Sequence, residues 1–397
     1  MQSTNPILCG AGLSTKGNAD AAIEEACSEA AKSFAGRTPD LAAVFVSPHH
    51  VDALDRIVAA VHQRLAPTAL IGCTGESIVG GAREIEEEPA VSLWAASLPG
   101  ATIRPMHLQF VRTLDGGSIV GWADALAGDW PRGAAMLVLG DPFTFPAEML
   151  LEQMNQERPE VPVFGGMASG FASPGRIRLA LGDRVLHDGA VAVVIDGPLT
   201  IRGVTSQGCR PIGRPMIVTK AEQNVIYELG GRPALAQARE LFASLPTRDQ
   251  QLANRGLHVG RVMSEYRDHF EQGDFLIKNV IGVDPAAQAI AIGDYVRVGQ
   301  TVQFHVRDAA SADAELQALL ARARSESAAP PAGALLFTCN GRGTRLFDVP
   351  DHDAAAVQAA LGPLPLAGFF AQGEIGPVGG QNFIHGFTAS VALFASA

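Results

Sequence analysis

A strand–helix–strand unit that ends in glycine occurs three times in the sequence, and this feature most constrains the fold. In the first copy, the apolar run 42–46 precedes a Ser-Pro-His-His turn, an amphipathic helical pattern and a second apolar run that ends at Gly72. The second copy ends at Gly165 and the third at Gly368. Parallel strands joined by a helix require right-handed crossovers, which cover the sheet with helices. The pattern predicts an α/β fold (mixed α+β), in which repeated β-α-β-β units form mixed sheets covered by helices.

Differences between the units divide the chain into segments. Strand pairs around a Pro/Gly turn follow the first two units, and both pairs end in Thr-Ile-Arg, at 102–104 and 200–202, which indicates an internal duplication over 38–208. Residues 209–331 follow a different pattern and precede the third unit. In that insert the predicted strands are 214–219, 223–227, 257–263, 275–283, 288–292 and 300–307, and the predicted helices are 232–245 and 309–325. The predicted segments are an N-terminal extension with a helix at 1–37, a first domain at 38–230 and a second domain at 231–397.

The composition favours a globular protein and excludes several classes of partner. Hydrophobic residues make up 47% and charged residues 18%, so the chain can bury a large core and is not a disordered tail. With 30 basic and 41 acidic residues the net charge is −11, and no basic run is present, which argues against nucleic-acid and anionic membrane surfaces. No signal peptide and no run of 18 apolar residues is visible, so we expect a chain that is neither exported nor membrane-spanning.

The cysteines indicate a reducing compartment. Five cysteines are present, an odd number, and no two are closer than 18 residues, so the sequence contains neither a disulfide framework nor a CxxC metal or redox motif. His49 and His50 are adjacent and point apart, which argues against chelation. We therefore predict a cytoplasmic protein with no cofactor and no metal.

Glycine-rich loops follow the second strand of each unit, where open α/β sheets collect ligands. These loops begin Gly72-Cys-Thr-Gly-Glu-Ser, Gly165-Gly-Met-Ala-Ser-Gly and Gly368-Phe-Phe-Ala-Gln-Gly-Glu. A glycine pair at a strand end commonly forms a tight turn, and both interpretations stay open. Glu76 and Glu374 each follow a glycine, and we interpret them as equivalent carboxylates. They could accept loop N–H groups or hold an ammonium group, as an amino-acid ligand would require.

Two cysteines lie at strand ends and suggest a second class of function. Cys73 and Cys339 are expected to be small buried hydrophobic residues, and the alternative role is that of a nucleophile. Arg342 in the Gly-Arg-Gly loop lies beside Cys339 in sequence and would favour a thiolate. The same loop lacks the further residues of a dinucleotide fingerprint or a P-loop, so nucleotide binding is not expected.

Two long motifs carry a family resemblance. The first loop, with Gly81-Ala-Arg-Glu-Ile-Glu-Glu and Leu93-Trp-Ala-Ala-Ser-Leu-Pro-Gly100 behind it, resembles the N-terminal half of the FIST sensory-domain family. The third loop, extended to Gly380 and followed by His385-Gly-Phe-Thr388, resembles the C-terminal half. Lys278-Asn279 also resembles a family position. The resemblance runs from about residue 38 to the end, and it implies a cytoplasmic sensor of amino acids or related metabolites that acts in signal transduction.

The sequence therefore predicts a small-ligand-binding sensory protein, with a signalling protein as a possible partner and no nucleic-acid or membrane partner. The alternatives are a cysteine-dependent enzyme that uses Cys339 or Cys73, and a protein-interaction scaffold. The predicted ligand-binding residues are Cys73, Thr74, Gly75, Glu76, Gly165, Gly166, Asn279, Cys339, Asn340, Arg342, Gly373, Glu374 and His385.

Overall fold

The computed structural model describes residues 6–114, 116–126, 130–266, 269–270, 273–326 and 329–397. The helices in these ranges are α1 Ala19–Ala31, α2 Leu54–Leu65, α3 Ala147–Glu157, α4 Ala234–Ser244, α5 Thr247–Arg255, α6 Ala309–Ser325 and α7 His352–Leu361. The strands are β1 Leu8–Ser14, β2 Leu41–Val46, β3 Ala69–Thr74, β4 Ile78–Gly80, β5 Arg83–Ile85, β6 Val91–Ser97, β7 Thr102–Val111, β8 Ser118–Val120, β9 Ala135–Gly140, β10 Val163–Met167, β11 Leu179–Leu181, β12 Arg184–Leu186, β13 Ala190–Asp196, β14 Leu199–Gln207, β15 Cys209–Glu222, β16 Val225–Leu229, β17 Arg232–Pro233, β18 Leu257–Val262, β19 Phe275–Asp284, β20 Ala289–Ile292, β21 Thr301–Arg307, β22 Gly333–Cys339, β23 Leu366–Ala371, β24 Glu374–Val378, β25 Gln381–His385 and β26 Thr388–Ser396.

The chain divides into two compact units, and each unit is built from segments that are not contiguous in sequence. The first unit comprises Met1–Thr205, Leu316–Ile384 and Thr388–Ala397, and the second comprises Ser206–Glu315 and His385–Phe387. No described helix is long and apolar enough to cross a membrane.

The first unit contains three sheets with a matching centre. In each, two parallel strands joined by a helix lie beside an antiparallel strand: β2 and β3 with β6, β9 and β10 with β13, and β22 and β23 with β26. The full orders are β1-β6-β2-β3-β11-β12, β25-β24-β10-β9-β13-β7-β8 and β14-β26-β22-β23-β4-β5. This arrangement confirms the predicted mixed α/β fold, while the internal sequence repeat stays a prediction.

A short hairpin from another part of the chain completes each sheet. The β11-β12 hairpin pairs with β3, the β24-β25 hairpin pairs with β10, and the β4-β5 hairpin pairs with β23. Each of the three strand–helix–strand segments therefore gives a hairpin to one sheet and receives a hairpin from another segment.

The glycines that end the sequence units lie inside strands and permit close backbone packing. A Cβ atom on Gly72, Gly165 or Gly368 would lie 2.4, 1.8 or 1.8 Å from a carbonyl oxygen of the adjacent parallel strand. Contacts this short do not occur between real atoms, so only glycine fits. Gly165 also has a φ of +140°, which side chains rarely adopt. Its predicted contact with a ligand stays a prediction, because this packing role accounts for the glycine by itself.

The N-terminal segment belongs to the first sheet. Strand β1 pairs antiparallel with β6 over its whole length, and α1 packs against it. The helix begins after Asn18, whose Oδ1 accepts the Ala21 N–H at 2.9 Å and so caps the first turn. A Cβ on Gly10 or Gly12 would lie 2.3 or 2.1 Å from α1 carbonyl oxygens, so these glycines let the strand approach the helix.

Between the sheets of the first unit lies a central apolar core. Phe45 from the first parallel strand pair meets Phe337 and Phe369 from the third there, with ring centroids 5.2–6.5 Å apart. Buried parallel strands carry near-continuous apolar runs, and this explains why the sequence pattern identified them.

The second unit is built around a closed ring of six antiparallel strands. Its order is β15-β21-β18-β19-β20-β16, and β16 pairs again with β15 to close the ring. Helices α4 and α5 cover its core. The two predicted strands at 214–219 and 223–227 are the facing ends of one long hairpin, and the other predicted segments of the insert agree with the observed elements within a few residues.

Candidate functional site

Ser169 joins the strand ends of all three sheets in the first unit. Its N–H donates to the Thr74 carbonyl at 3.1 Å, and its Oγ accepts the Glu76 N–H at 2.7 Å. The hydroxyl then donates to the Phe370 carbonyl. The three glycine-rich loops therefore converge. Ser169 was not among the predicted site residues, although it is the only hydroxyl residue in the second loop, Gly165-Gly-Met-Ala-Ser-Gly170.

The second and third loops are also paired as strands. Gly166 of β10 lies opposite Glu374 of β24, and the Met167 N–H donates to the Gly373 carbonyl at 2.8 Å. A Cβ on Gly166 would lie 2.8 Å from the Ala371 Cβ, so glycine is needed where the two loops meet. Two predicted residues, Gly166 and Gly373, therefore position Glu374.

The strand register shows that Glu374 is not the equivalent of Glu76. Glu374 begins β24 opposite Gly166, in the same way that Ile78 begins β4 opposite Phe369. Glu374 therefore corresponds to Ile78, and our interpretation of the two glutamates as equivalent carboxylates is wrong. Glu76 lies in the turn before β4, with its side chain 33% exposed.

Arg345 connects the first loop to the loop that follows β22. Its guanidinium forms an ion pair with Glu76 and donates to the Asn340 carbonyl at 2.9 Å. Gly75 lies nearby in the first loop, where a Cβ would lie 2.6 Å from the Phe369 Cβ. The predicted residues Glu76 and Asn340 are therefore brought together by Arg345, an arginine that no sequence motif indicated.

Beside these loops lies a buried charged group that we call the Arg342 cluster: Arg342, Asp353, Glu84, Glu374 and Cys339. Arg342 is fully buried, and its Nε and Nη2 both donate to the Asp353 carboxylate at 2.7 Å. Burial opposes ionisation of Asp353, but the charge and hydrogen bonds of Arg342 outweigh this effect and hold the pKa of that carboxyl well below its usual range. The pair is therefore ionised in the folded protein.

Asp353 is supported by two further donors. The Thr338 hydroxyl donates to its Oδ2 at 2.6 Å, and His352 Nδ1 lies 2.9 Å from its Oδ1. The His352 ring stacks on Phe347 with centroids 3.4 Å apart, and the centre of the Phe347 ring lies 5.2 Å from the Arg342 Cζ. A buried ion pair is stabilised only when its remaining polar atoms are satisfied, and these neighbours supply that for the carboxylate.

Glu84 ties the β4-β5 hairpin to the start of α7. Its Oε1 accepts the Ala354 N–H at 2.9 Å, and its own N–H donates to Asp351 Oδ1 at 2.6 Å. Its Oε2 is buried and has no hydrogen-bond partner among the described residues. Burial, together with the charge of Asp353, raises the pKa of Glu84 to about 8.

Glu374 is the second buried carboxyl with an unsatisfied oxygen. Its Oε2 accepts the Thr388 N–H at 3.1 Å, while Oε1 is buried without a hydrogen-bond partner in the described part of the chain. Burial raises the pKa of Glu374 to about 8, against the lowering effects of the Thr388 N–H, the Cys339 thiol and the Arg342 charge. At neutral pH this carboxyl is therefore largely protonated.

Cys339 lies at the solvent-facing side of the cluster. All five cysteines are described and free, and Cys339 is the one that is partly exposed. Its Sγ accepts the Gly341 N–H at 3.4 Å, and its thiol interacts with Glu374 and Arg342. Cys73 is fully buried, and burial raises the pKa of its thiol well above the usual value. The structure therefore contradicts Cys73 as a candidate nucleophile, because its thiol stays protonated and inaccessible.

The remaining predicted site residues are divided between the two units. Thr74 Oγ1 and Asn340 Oδ1 are buried polar atoms without hydrogen-bond partners among the described residues. Asn279 and His385 belong to the second unit, where Asn279 lies opposite His258 on the adjacent strand. In the described ranges no three His, Cys, Asp or Glu side chains are arranged to hold a metal ion.

Fold and site together define a mixed α/β protein with a buried, partly unsatisfied polar cluster at converging strand ends. The model of the FIST N domain matches residues 40–232, and that of the FIST C domain matches residues 234–377. The chain belongs to the FIST family. Domains of this family are associated with sensing in signal transduction.

Mycobacterial proteins resemble the chain over almost its full length. "Uncharacterized protein Rv0628c" of Mycobacterium tuberculosis (strain ATCC 25618 / H37Rv) is 48% identical over 97% of this chain and 99% of its own length. "Uncharacterized protein Mb0898c" of Mycobacterium bovis is 46% identical over 97% and 98%. A solved structure of cyanuric acid hydrolase aligns over 99% of this chain and 100% of its own, with 10% identity and a TM-score of 0.26. Values this low support no inference about this protein.

Proposed function

We propose that this protein is a cytoplasmic sensor that binds a small metabolite carrying an ammonium group, such as an amino acid, at Glu374. The ligand would lie where the three loops meet, with Cys339 and Asn340 beside its amino group. The five free cysteines support a reducing cytoplasm. A signalling protein that responds to the bound form is the partner we propose, in keeping with the family's association with sensing.

The observation that carries this proposal is the unsatisfied Oε1 of Glu374. Leaving a buried acceptor without a donor costs about 1–3 kcal/mol, so such an atom calls for an explanation. It lies beside Cys339, the partly exposed cysteine, and therefore near a route to solvent. The adjacent residue, Asn340, has a second unsatisfied acceptor in its Oδ1. An ammonium group carries three donors and no acceptor, and so matches acceptors of this kind.

Ligand binding of this type would be linked to proton release. Because the pKa of Glu374 is raised to about 8, the free protein holds the proton at pH 7. A cation next to the carboxyl favours its ionised form, so the proton leaves when the ammonium group binds. Affinity would rise with pH up to about 8, because less work is then needed to ionise the carboxyl.

A thermal-shift screen against amino acids tests the proposal, with the matching carboxylic acids that lack the amino group as comparison compounds. A ligand at about 100 times its Kd stabilises the folded protein by about 2.7 kcal/mol. We expect amino compounds to raise the midpoint, and calorimetry in two buffers of different ionisation heat to report released protons at pH 7.

Glu374→Gln should abolish this binding. Glu84→Gln is the matched control, because it removes another buried carboxyl whose pKa is also raised to about 8. The proposal fails if no amino compound shifts the midpoint, if the deaminated compounds bind equally well, or if both variants lose binding to the same extent.

The surroundings of Cys339 favour a second candidate function, a cysteine-dependent enzyme. Its thiol is partly exposed and interacts with both the buried guanidinium of Arg342 and the carboxyl of Glu374. A guanidinium stabilises a thiolate and so favours loss of the thiol proton. The pH dependence of iodoacetamide labelling tests this function. Labelling of Cys339 that is half-maximal below pH 7 would support a nucleophile, and slow labelling that rises only above pH 9 would exclude it.

A further inference from the structure

A polar row crosses three strands of the second unit, and the two histidines at its centre are buried. His258 on β18 lies opposite Asn279 on β19 on one side and opposite His305 on β21 on the other. Arg307 lies two residues beyond His305 on the same strand, and so on the same face of the sheet. His258 and His305 are 4% and 1% exposed. This face is opposite the one that carries Val259, Phe304 and Val306 into the core of the ring.

The two histidines differ in how well their ring nitrogens are satisfied. His305 Nδ1 lies 3.0 Å from the Gln303 carbonyl. Neither ring nitrogen of His258 has a hydrogen-bond partner among the residues that the structure describes. The Asn279 side chain approaches this ring closely enough to raise its pKa, but completes no hydrogen bond of normal geometry. His258 is therefore a polar side chain enclosed by the protein and left unsatisfied.

A glycine and two phenylalanines surround the two imidazole rings. A Cβ on Gly260 would lie 2.4 Å from the His305 Cε1, so glycine makes room for that imidazole. The Phe387 ring lies 4.5 Å from the His258 ring, and the Phe275 ring lies 4.9 Å from His305. The Arg307 Cζ lies 4.9 Å from the centre of the Phe387 ring. Binding sites for small ligands commonly combine such apolar walls with a few polar groups that converge.

Arg307 places a positive charge near the imidazole of His258, and both imidazoles are neutral. Burial lowers the pKa of His258 to about 4, and the Arg307 charge lowers it further. Burial likewise lowers the pKa of His305 to about 4, with a further lowering by His258. A neutral imidazole still offers one N–H donor, the Asn279 amide offers others, and the Arg307 guanidinium adds its charge. These donors suit an anion, and a planar carboxylate fits a guanidinium best.

We infer that the His258 face of the second unit binds a small aromatic carboxylate, which accepts hydrogen bonds from His258 and Asn279, pairs with the Arg307 charge and packs its ring against Phe387. This site is separate from Glu374 in residues and in preferred charge. The inference therefore does not depend on the ammonium ligand proposed above.

Calorimetric titration of the full chain with benzoate tests the inference, with benzamide as the neutral compound of the same shape. We expect benzoate to bind with a Kd below about 1 mM and benzamide at least about tenfold more weakly, a difference of about 1.4 kcal/mol. In ¹⁵N-edited NMR spectra the ring nitrogens of His258 should shift during the benzoate titration. Equal binding of the two compounds, or no benzoate binding up to about 10 mM, would overturn the inference.

His258→Phe provides the decisive variant, because it keeps a ring in place and removes both unsatisfied nitrogens. It should leave the thermal midpoint unchanged or raised, and weaken benzoate binding at least about tenfold. His50→Phe is the matched control, a buried histidine of the first unit whose Nε2 is also unsatisfied, and it should bind benzoate like the wild type. Unchanged benzoate affinity in His258→Phe would refute the site. Glu374→Gln should leave benzoate binding intact, which separates this result from the amino-compound screen.

Discussion

Replacing Glu374 by glutamine should reduce the dependence of stability on pH between about 5 and 8. Burial raises the pKa of this carboxyl from 4.5 to about 8 in the folded protein. Over that interval the folded state keeps a proton that the unfolded state has lost, so the free energy of unfolding falls as pH rises. The stability that the protonated carboxyl contributes is fully present below pH 4.5 and is lost toward pH 8. Glutamine is neutral throughout and removes this loss.

The magnitude follows from the same shift. Each pKa unit corresponds to about 1.4 kcal/mol, so at pH 7 the wild type has lost about 3 kcal/mol of stability relative to pH 4.5 through Glu374 alone. The glutamine amide brings two N–H donors into a buried place, and each unsatisfied donor costs about 1–3 kcal/mol at every pH. The difference in unfolding free energy between variant and wild type should therefore increase by about 1.4 kcal/mol per pH unit, whatever its starting value.

Urea unfolding at about pH 5.5, 6.5 and 7.5 measures this difference. Tryptophan fluorescence is the suitable signal, because Trp94, Trp122 and Trp130 all belong to the first unit, which contains Glu374. Glu84→Gln should also show a difference that increases with pH, since the pKa of Glu84 is also raised to about 8. A difference that stays constant across the pH range would mean that Glu374 is ionised in the folded protein, and would refute the reasoning.

Three further substitutions test the packing of the first unit. Arg342→Met leaves its carboxylate partner buried without a cation, and should lower the unfolding free energy by about 3–5 kcal/mol in urea titrations; a change below about 1 kcal/mol would show that the pair is hydrated. Gly368→Ala places a Cβ 1.8 Å from a backbone oxygen and should prevent soluble expression; a soluble variant with wild-type circular dichroism would contradict this packing. Ser169→Ala removes the hydroxyl that links three loops, and should cost about 2–4 kcal/mol, measured in the same way; no loss would mean that water replaces the hydroxyl.

The strand–helix–strand units could be predicted from the sequence because their signal is local. A parallel strand that is buried on both faces is a continuous apolar run, and β2, β9 and β22 all read in this way. The insert was predictable for the same reason, since its short strands are separated by turn residues. Family motifs then indicated which loops to consider as a site.

The hairpin exchange could not be predicted, because it depends on pairing between distant segments. Gly166 and Glu374 are neighbours in a sheet, although more than 200 positions separate them, and no local pattern encodes such a register. The Gly-Glu motif shared by the first and third loops suggested a different equivalence, which aligned Glu76 with Glu374. Strand register rather than motif identity decides which residues correspond.

The charged cluster was only partly visible for a related reason. Arg342 was a candidate because it neighbours Cys339, but its partner Asp353 lies in the first turn of α7, where an acidic residue is ordinary. Glu84 lies in one of the motifs that carry the family resemblance. It is buried because the β4-β5 hairpin joins a sheet that is built mainly from the C-terminal part of the chain. Desolvation depends on tertiary packing, so the raised pKa values could not be inferred from sequence.

Because the hairpins are exchanged between segments, fragments of this protein lack strands that their sheets need. A fragment cut between residues 232 and 234, where the two family matches meet, would separate β24 and β25 from the sheet that they complete, and β4 and β5 from theirs. The N-terminal fragment would then expose β10 as an open edge, a known starting point for aggregation. The two FIST matches therefore do not mark separable fragments, because a cut at their boundary breaks two sheets of the first unit and also divides the strand ring of the second unit.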